Sequence, residues 1–333
     1  MKTPQQPYPK LAQALGIPEL YLKREDLHPY GSHKGRSIPF MIKRYAKDGI
    51  RKFVVSSSGN AALAAVRTAA QHNKNNPQKE IQMIVYVGAH IDPTKINNLK
   101  SEICNLKSIS IETVDRPKQT AFQIEKESAG KIKNLRQSAD DVALEGYLEL
   151  AQELNKIPNL QAIFIPTSSG TTAQALSQAF IALNQHPQIH IVQTTACHPF
   201  VDSIRFNNQT PLLLEPALSL SKGAGVRSPG VALAKREGEV QSETQSAPNH
   251  SIAGAIIDNI AHRKEKVADL IKQSGGAGWI VTDEEIKEAM KLVKQTTNLE
   301  ISPNSALSVA GLKKAIANGF IPSGPAVCLI TGP

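Results

Sequence analysis

The chain has 333 residues, 41% of them hydrophobic, which is enough for either one large domain or two lobes sharing a cleft. Its formal charge is +9, but the bases are scattered through Lys95, Lys131, Lys133, Arg136, Lys264 and Lys287 among acids. Aromatic residues make up only 5%, so the stacking-plus-basic-groove pattern of a nucleic-acid binder is missing. Three widely spaced cysteines, Cys104, Cys197 and Cys328, exclude a disulfide framework and a CxxC zinc site and fit a reducing, cytoplasmic setting.

The opening "MKTPQQPYPK" lacks the apolar core of a signal peptide, and no apolar run is long enough to span a bilayer, so a soluble protein off the membrane is expected. Next comes "YLKREDLHPYGSHKGR". Gly31 allows a tight turn, Ser32 can cap, and Lys34 falls in the first turn of a helix, where the helix dipole disfavours an ammonium and lowers its pKa. A lysine with a depressed pKa suits Schiff-base chemistry, whereas a solvated surface lysine is the simpler reading of this stretch alone. The neighbouring bases read as solvated bystanders, and Pro39 should kink or delay the helix.

Short β-branched runs then alternate with helical patterns. Strands are predicted at 52–56, 81–87, 108–114, 162–166, 189–195 and 326–331. Between them "NAALAAVRTAAQHN" is an Ala-rich helix. "EGYLELAQELNK" puts Tyr147, Leu150, Ala151 and Leu154 on one helical face. Thr282 with Glu285 forms a capping box, and Ser302 followed by Pro303 starts another helix. The pattern is α/β with buried, mostly parallel sheets and flanking helices. Residues 215–249, rich in Ser, Gly, Pro and mixed charge, break the rhythm and read as a loop insertion; "PALSLSKG" within them resembles the translation of a dispersed genomic repeat.

Three strand ends carry polar loops. "VVSSSGN" places Ser57, Ser58, Gly59 and Asn60 before a helix, a receptor for carboxylate or phosphate, or else an ordinary N-cap turn. "IFIPTSSGTT" puts Ser168, Ser169, Gly170, Thr171 and Thr172 before another helix, where hydroxyls and backbone donors can surround a phosphate dianion. Neither GxxxxGK[ST] nor GxGxxG is present, which argues against a nucleoside triphosphatase and a nicotinamide dehydrogenase. The last strand delivers Thr331 to the carboxyl edge of a sheet, where ligands bind in open α/β folds.

Taken together and in this order, "YLKREDL", "GSHKGR", "SSSGN", "EGY", "PTSSGTT" and "ITG" resemble the fold-type II pyridoxal-phosphate enzymes, the tryptophan synthase β superfamily, and within it the threonine synthase and threonine dehydratase branch. The resemblance covers nearly the whole chain apart from 215–249. It implies pyridoxal 5′-phosphate as cofactor and Lys34 as both its covalent anchor and the proton-transfer base. It further implies Asn60 on the ring hydroxyl, Ser57, Ser58 and Gly59 on the substrate α-carboxylate, and Ser168, Ser169, Gly170, Thr171 and Thr172 on the 5′-phosphate. Thr331 would face the ring nitrogen, where a neutral hydroxyl favours loss of a leaving group over transamination. The implied architecture is a cofactor-binding lobe of residues 1–45 and 146–333 and a small mobile lobe of 46–145, with homodimers usual among relatives and no metal.

The implied activity is elimination or replacement on an L-amino acid, threonine-synthase-like on O-phosphohomoserine, with serine/threonine deamination or a non-catalytic cofactor-binding homologue as alternatives. His33 before the lysine, Gly35 after it and a chain ending two residues beyond Thr331 depart from the pattern, so part of the C-terminal closure is expected to be absent. Glu300 resembles an acid near the ring in the threonine synthase branch, a surface or capping glutamate being the alternative. His198 reads as a loop histidine and Cys328 as a buried strand residue.

Overall fold

The computed structural model describes residues 2–89, 91–103, 106–206 and 250–333. The 215–249 stretch and Cys104 lie outside them. The chain opens with β1 (Gln5–Pro7), α1 (Pro9–Leu15), β2 (Leu20–Arg24) and α2 (Lys34–Lys47). A run of β3 (Lys52–Ser56), α3 (Asn60–Asn75), β4 (Gln82–Val87), α4 (Pro93–Glu102), β5 (Ile109–Thr113), α5 (Pro117–Glu127) and β6 (Ile132–Asn134) follows. Then come α6 (Val142–Glu145), α7 (Leu148–Leu154), β7 (Ala162–Pro166), α8 (Thr171–Ala182), β8 (Gln188–Thr194) and α9 (Pro199–Phe206). The remainder holds α10 (Lys264–Gln273), β9 (Gly278–Val281), α11 (Asp283–Thr297), α12 (Pro303–Ala317) and β10 (Ala326–Ile330).

These strands form two sheets. The larger has the order β1-β2-β10-β7-β8-β9 and is parallel except for the antiparallel edge strand β1; the smaller, β5-β4-β3-β6, is wholly parallel. Parallel strands covered on both faces must be apolar throughout, and every residue of β7 and β10 is buried. Their period of two divides the interior. Ala162, Phe164, Cys328 and Ile330 pack with α1, α11 and α12, while Ile163, Ile165, Val327 and Leu329 pack with α7, α8 and α10. A third core joins Ile38, Met41 and Ile42 of α2 to α3 and to Phe53, Val55, Met83 and Val85 of the smaller sheet. No helix among the described residues is long and apolar enough to cross a membrane.

The capping box of α11 is present in both directions, and Ser302 caps α12 through the Ser305 N–H. Pro39 neither delays nor ends α2, which runs continuously from Lys34. Its first turn closes with tighter i to i−3 bonds, Gly35 N–H to the Ser32 carbonyl and Arg36 N–H to that of His33.

The bases around Lys34 are not bystanders. Arg36 is buried and forks onto Glu25 at 2.8 and 2.9 Å, and also meets Glu153 at 2.8 Å and Glu149 at 3.0 Å. Lys23 of β2, 1% exposed, pairs with Glu153 and donates to the Thr3 carbonyl at 3.0 Å. Burial raises the Glu153 carboxyl, but Arg36 and Lys23 outweigh it and hold its pKa at about 2. Pairing this complete is what lets ions sit in an interior at all, and it ties β2, α2, α7 and the N-terminal strand to one point.

Removing one partner strands the others, so Glu153→Gln should cost about 3 kcal/mol or more, read as a lower denaturant midpoint at unchanged slope. The same carboxyl contributes stability that is full above its ordinary pKa of 4.5 and is lost as pH falls towards 2. His190 acts over a neighbouring window. It is stacked on Phe164 at 4.4 Å, and its Nδ1 accepts the Ala277 N–H and Trp279 Nε1–H at 3.2 Å, so the neutral ring carries its proton on Nε2. Burial pushes its pKa down to about 4. The unfolded chain therefore binds the extra proton first, and stability should rise by roughly 3 kcal/mol from pH 4 to 6.5 on this account. His190→Gln, which keeps an acceptor, should flatten that slope in pH-dependent urea unfolding.

Candidate active site

The carboxyl ends of the two sheets meet. β10 runs out into Thr331, Gly332 and Pro333, and β3 into the Ser57–Gly59 loop and α3; the Asn60 side-chain amide donates to the Pro333 carbonyl across the junction. Gly332, at φ +109°, lies on the Gly31–Ser32 turn, and a Cβ there would come within 2.7 Å of the Ser32 Cβ and 2.8 Å of the Gly31 oxygen. Its carbonyl accepts Ser302 Oγ at 2.7 Å and Ser305 Oγ at 3.1 Å, and Ser305 Oγ in turn accepts its N–H at 3.0 Å. The tail after β10 is thereby clamped between the start of α12 and the turn before α2.

Lys34 opens α2 beside this clamp, half-buried, with its backbone N–H on Ser32 Oγ at 3.3 Å. Its pKa is lowered to about 8. Burial is the cause, partly offset by the Asp258 carboxylate, so the direction expected from the helix start is found with a different dominant origin. His33 donates both its backbone N–H, at 3.1 Å, and Nδ1–H, at 3.0 Å, to the Thr331 carbonyl. Burial and the adjacent Lys34 push its pKa down to about 3, so the ring is neutral and adds no charge next to the amine. Gly35 is dictated by packing, since a Cβ there would lie 2.2 Å from His28 Nδ1.

Two further motifs support this corner. Gly146 of "EGY" passes so close to α2 that a Cβ would sit 2.6 Å from the Ser37 Cα and 2.7 Å from the Arg36 oxygen. Tyr147 is fully buried and stacked on His33, with its hydroxyl facing Ser37, Thr172 and Gln137. Gln137 joins the pieces, donating to Ser37 Oγ while its carbonyl accepts Thr171 Oγ1 at 3.1 Å and Arg263 Nη2 at 2.9 Å.

The loop before α8 curls through Gly170 at φ +74°, where a Cβ would meet the Phe200 ring at 2.6 Å. Ser169 Oγ and Thr171 Oγ1 are 2.9 Å apart, Ser168 Oγ accepts the Ile257 N–H at 3.3 Å, and Thr172 is buried. The first backbone N–H groups of α8 point out of its start, the arrangement that fits a phosphate. At the start of α3 the space differs in kind: Ser57 Oγ accepts the Gly59 N–H at 3.3 Å, and a Cβ on Gly59 would meet nothing within 4 Å. An open, donor-lined surface there fits a small carboxylate.

The structure thus brings Lys34, the 57–60 loop, the 168–172 loop and Thr331 to one junction. Glu300 is not part of it: it is 78% exposed and paired with Lys294 at 2.6 Å on the surface, which corrects the ring-facing reading. His198, just before α9, pairs with Asp202 of that helix at 2.8 Å, and Cys328 is buried in β10. Sequence reasoning missed Asp258, Gln137, Arg263 and the Arg36 ion cluster. Only the "EGY" and "YLKRED" motifs carried a signal for their surroundings.

Comparison with known proteins shows the family. The family model described as pyridoxal-phosphate dependent enzyme matches residues 1–332, and the chain belongs to that family. Threonine synthase of Methanocaldococcus jannaschii is 25% identical over 336 residues, covering 97% of this chain and 72% of that protein. Human L-serine dehydratase/L-threonine deaminase is 30% identical over 156 residues, covering 47% of this chain and 44% of that protein. Among solved structures, maize serine racemase shares the fold at a TM-score of 0.72 and 16% identity, over all of this chain and 88% of that one.

The two loop glycines should respond differently to a methyl group. Gly170→Ala should weaken cofactor binding about 10-fold or more by spectral titration, because the strained φ and the Phe200 ring both oppose it. Gly59→Ala should leave folding stability within about 0.5 kcal/mol.

Proposed function

We propose that this member of the pyridoxal-phosphate family is a lyase that eliminates or replaces a side-chain group of an L-amino acid in the manner of threonine synthase, converting O-phosphohomoserine to threonine. The observation that carries the reading is Lys34, an amine with a pKa of about 8 held at the junction where both sheets end. The match to threonine synthase along nearly the whole chain supports the choice of reaction.

Bound pyridoxal phosphate supplies an electron-accepting ring that stabilises negative charge at the amino acid Cα. Lys34 would hold the cofactor and, as a free amine, would take the Cα proton on Nζ; a pKa of about 8 leaves a useful neutral fraction at neutral pH. Ser168, Ser169, Gly170, Thr171 and Thr172 hold the 5′-phosphate at the start of α8. Ser57, Ser58 and Gly59 hold the substrate carboxylate. The Asn60 amide has two N–H groups, and the one not used by Pro333 serves the ring oxygen. Thr331 would offer a neutral hydroxyl to the ring nitrogen, which would favour prompt loss of a leaving group. Residues 46–145 act as the mobile lobe that brings the carboxylate loop down on the substrate.

Serine or threonine deamination is the second reading, favoured by the higher identity to serine dehydratase over about half the chain. The purified protein with pyridoxal phosphate should show a visible absorption band that is absent in Lys34→Ala. O-phospho-L-homoserine should shift the band and yield threonine and phosphate. Release of a 2-oxo acid and ammonia from L-serine or L-threonine instead would turn the assignment to deamination. A band without turnover of either would mark a cofactor-binding homologue, and no Lys34-dependent band would contradict the reading altogether.

A further inference from the structure

Arg263, just before α10, is buried, and all five of its N–H groups are engaged. Nε and Nη2 donate to the Gln137 carbonyl at 3.3 and 2.9 Å, and Nη2 also to the Asp140 carbonyl at 2.9 Å. Nη1 donates to Gln174 Oε1 at 3.0 Å and to Asp141 Oδ1 at 2.6 Å. Asp141 is the one charged acceptor of the set and is 79% exposed. Water therefore screens its carboxylate, and much of the guanidinium charge is left uncompensated inside the protein.

Two of these acceptors support the 168–172 loop. Gln174 lies one turn into α8 with its N–H on the Gly170 carbonyl at 2.9 Å, and the Gln137 carbonyl also accepts Thr171 Oγ1 at 3.1 Å. Since Thr171 gives its hydrogen to Gln137, Ser169 is the donor in their 2.9 Å contact. Both hydroxyl hydrogens are thus used within the protein. A phosphate at the start of α8 needs them turned towards it, and a buried carbonyl left by Thr171 would be unfavourable unless another donor stayed. Arg263 keeps two N–H groups on that carbonyl. It also sets a positive charge behind a loop, Ser168 to Thr172, whose residues are all neutral. Resting on the proposed placement of the 5′-phosphate in that loop, we propose that Arg263 is its positioning residue and buried counter-charge. It holds the Gln137 carbonyl so that Thr171 and Ser169 are free to turn to the phosphate.

The test is spectral titration of the cofactor-free protein with pyridoxal phosphate and with pyridoxal, which lacks only the phosphate. Arg263→Gln, which keeps a donor and loses the charge, should weaken pyridoxal phosphate about 10-fold or more and pyridoxal by no more than about 2-fold. Arg263→Lys should recover most of that loss. Asp141→Asn removes the exposed carboxylate and should act in the opposite direction, tightening pyridoxal phosphate about 2-fold with pyridoxal unchanged. A purely structural residue would lower both affinities together. A parallel loss in Arg263→Gln, or an unchanged preference for the phosphorylated ligand there, would overturn the role of Arg263; if that variant does not fold, an unchanged preference in Asp141→Asn overturns it. Gly170→Ala separates this role from the placement of the phosphate. If it lowers the preference and Arg263→Gln does not, the placement stands and the role of Arg263 alone falls; if neither lowers it, the phosphate is held elsewhere and both fall.

Discussion

The site depends on the buried ion cluster centred on Arg36. Its guanidinium is two residues beyond Lys34 on the same helix, so fixing one end of the first turn of α2 fixes the other. Glu25 follows β2, Glu153 belongs to α7 and Lys23 to β2 itself, so the cluster refers the position of Lys34 to the larger sheet. Desolvating two cations and their carboxylates is expensive, and only a complete set of partners offsets it. The cost is tolerable at a place where an amine must be held in one register, and the rest of α2 is then free to pack its apolar face on the smaller sheet through Ile38, Met41 and Ile42.

Around this anchor, distant parts of the chain are tied by short polar contacts. Gly332 fits under the turn that precedes Lys34 only because it has no side chain, and Ser302 and Ser305 complete the clamp from α12. Gln137, in the connection leaving the smaller sheet, receives Thr171 from the loop before α8 and Arg263 from the start of α10, and touches Ser37 on α2. The lysine helix, the phosphate-type loop and the connection between the two sheets therefore share one residue.

Much of this was legible before any coordinates. β3 and β7 are short apolar runs ending in hydroxyl-rich loops before a helix, and β10 is a short apolar run ending at Thr331; these patterns are local enough to read from composition and order. β2 was not legible because Lys23 and Arg24 make it look like a solvated charge run; the burial of Lys23 is decided by Glu153, 130 residues away. β6 and β9 are three and four residues long, too short for a period to show. Asp258 was invisible for a related reason. It sits in an irregular segment just past the low-complexity stretch, and only the fold places its carboxylate beside Lys34 and Lys118. Glu300, by contrast, stayed open between an acid near the ring and a surface glutamate, because a motif position gives no information on which way a side chain faces; it is exposed and paired with Lys294.

The most direct test of the central claim is chemical. The protein loaded with pyridoxal phosphate would be reduced with borohydride, digested, and the phosphopyridoxyl-bearing peptide identified by mass spectrometry. The account predicts a single modified site at Lys34, in the peptide containing "GSHK", and none at Lys23, whose ammonium is locked to Glu153. Modification spread over surface lysines, or concentrated on any other lysine, would contradict it.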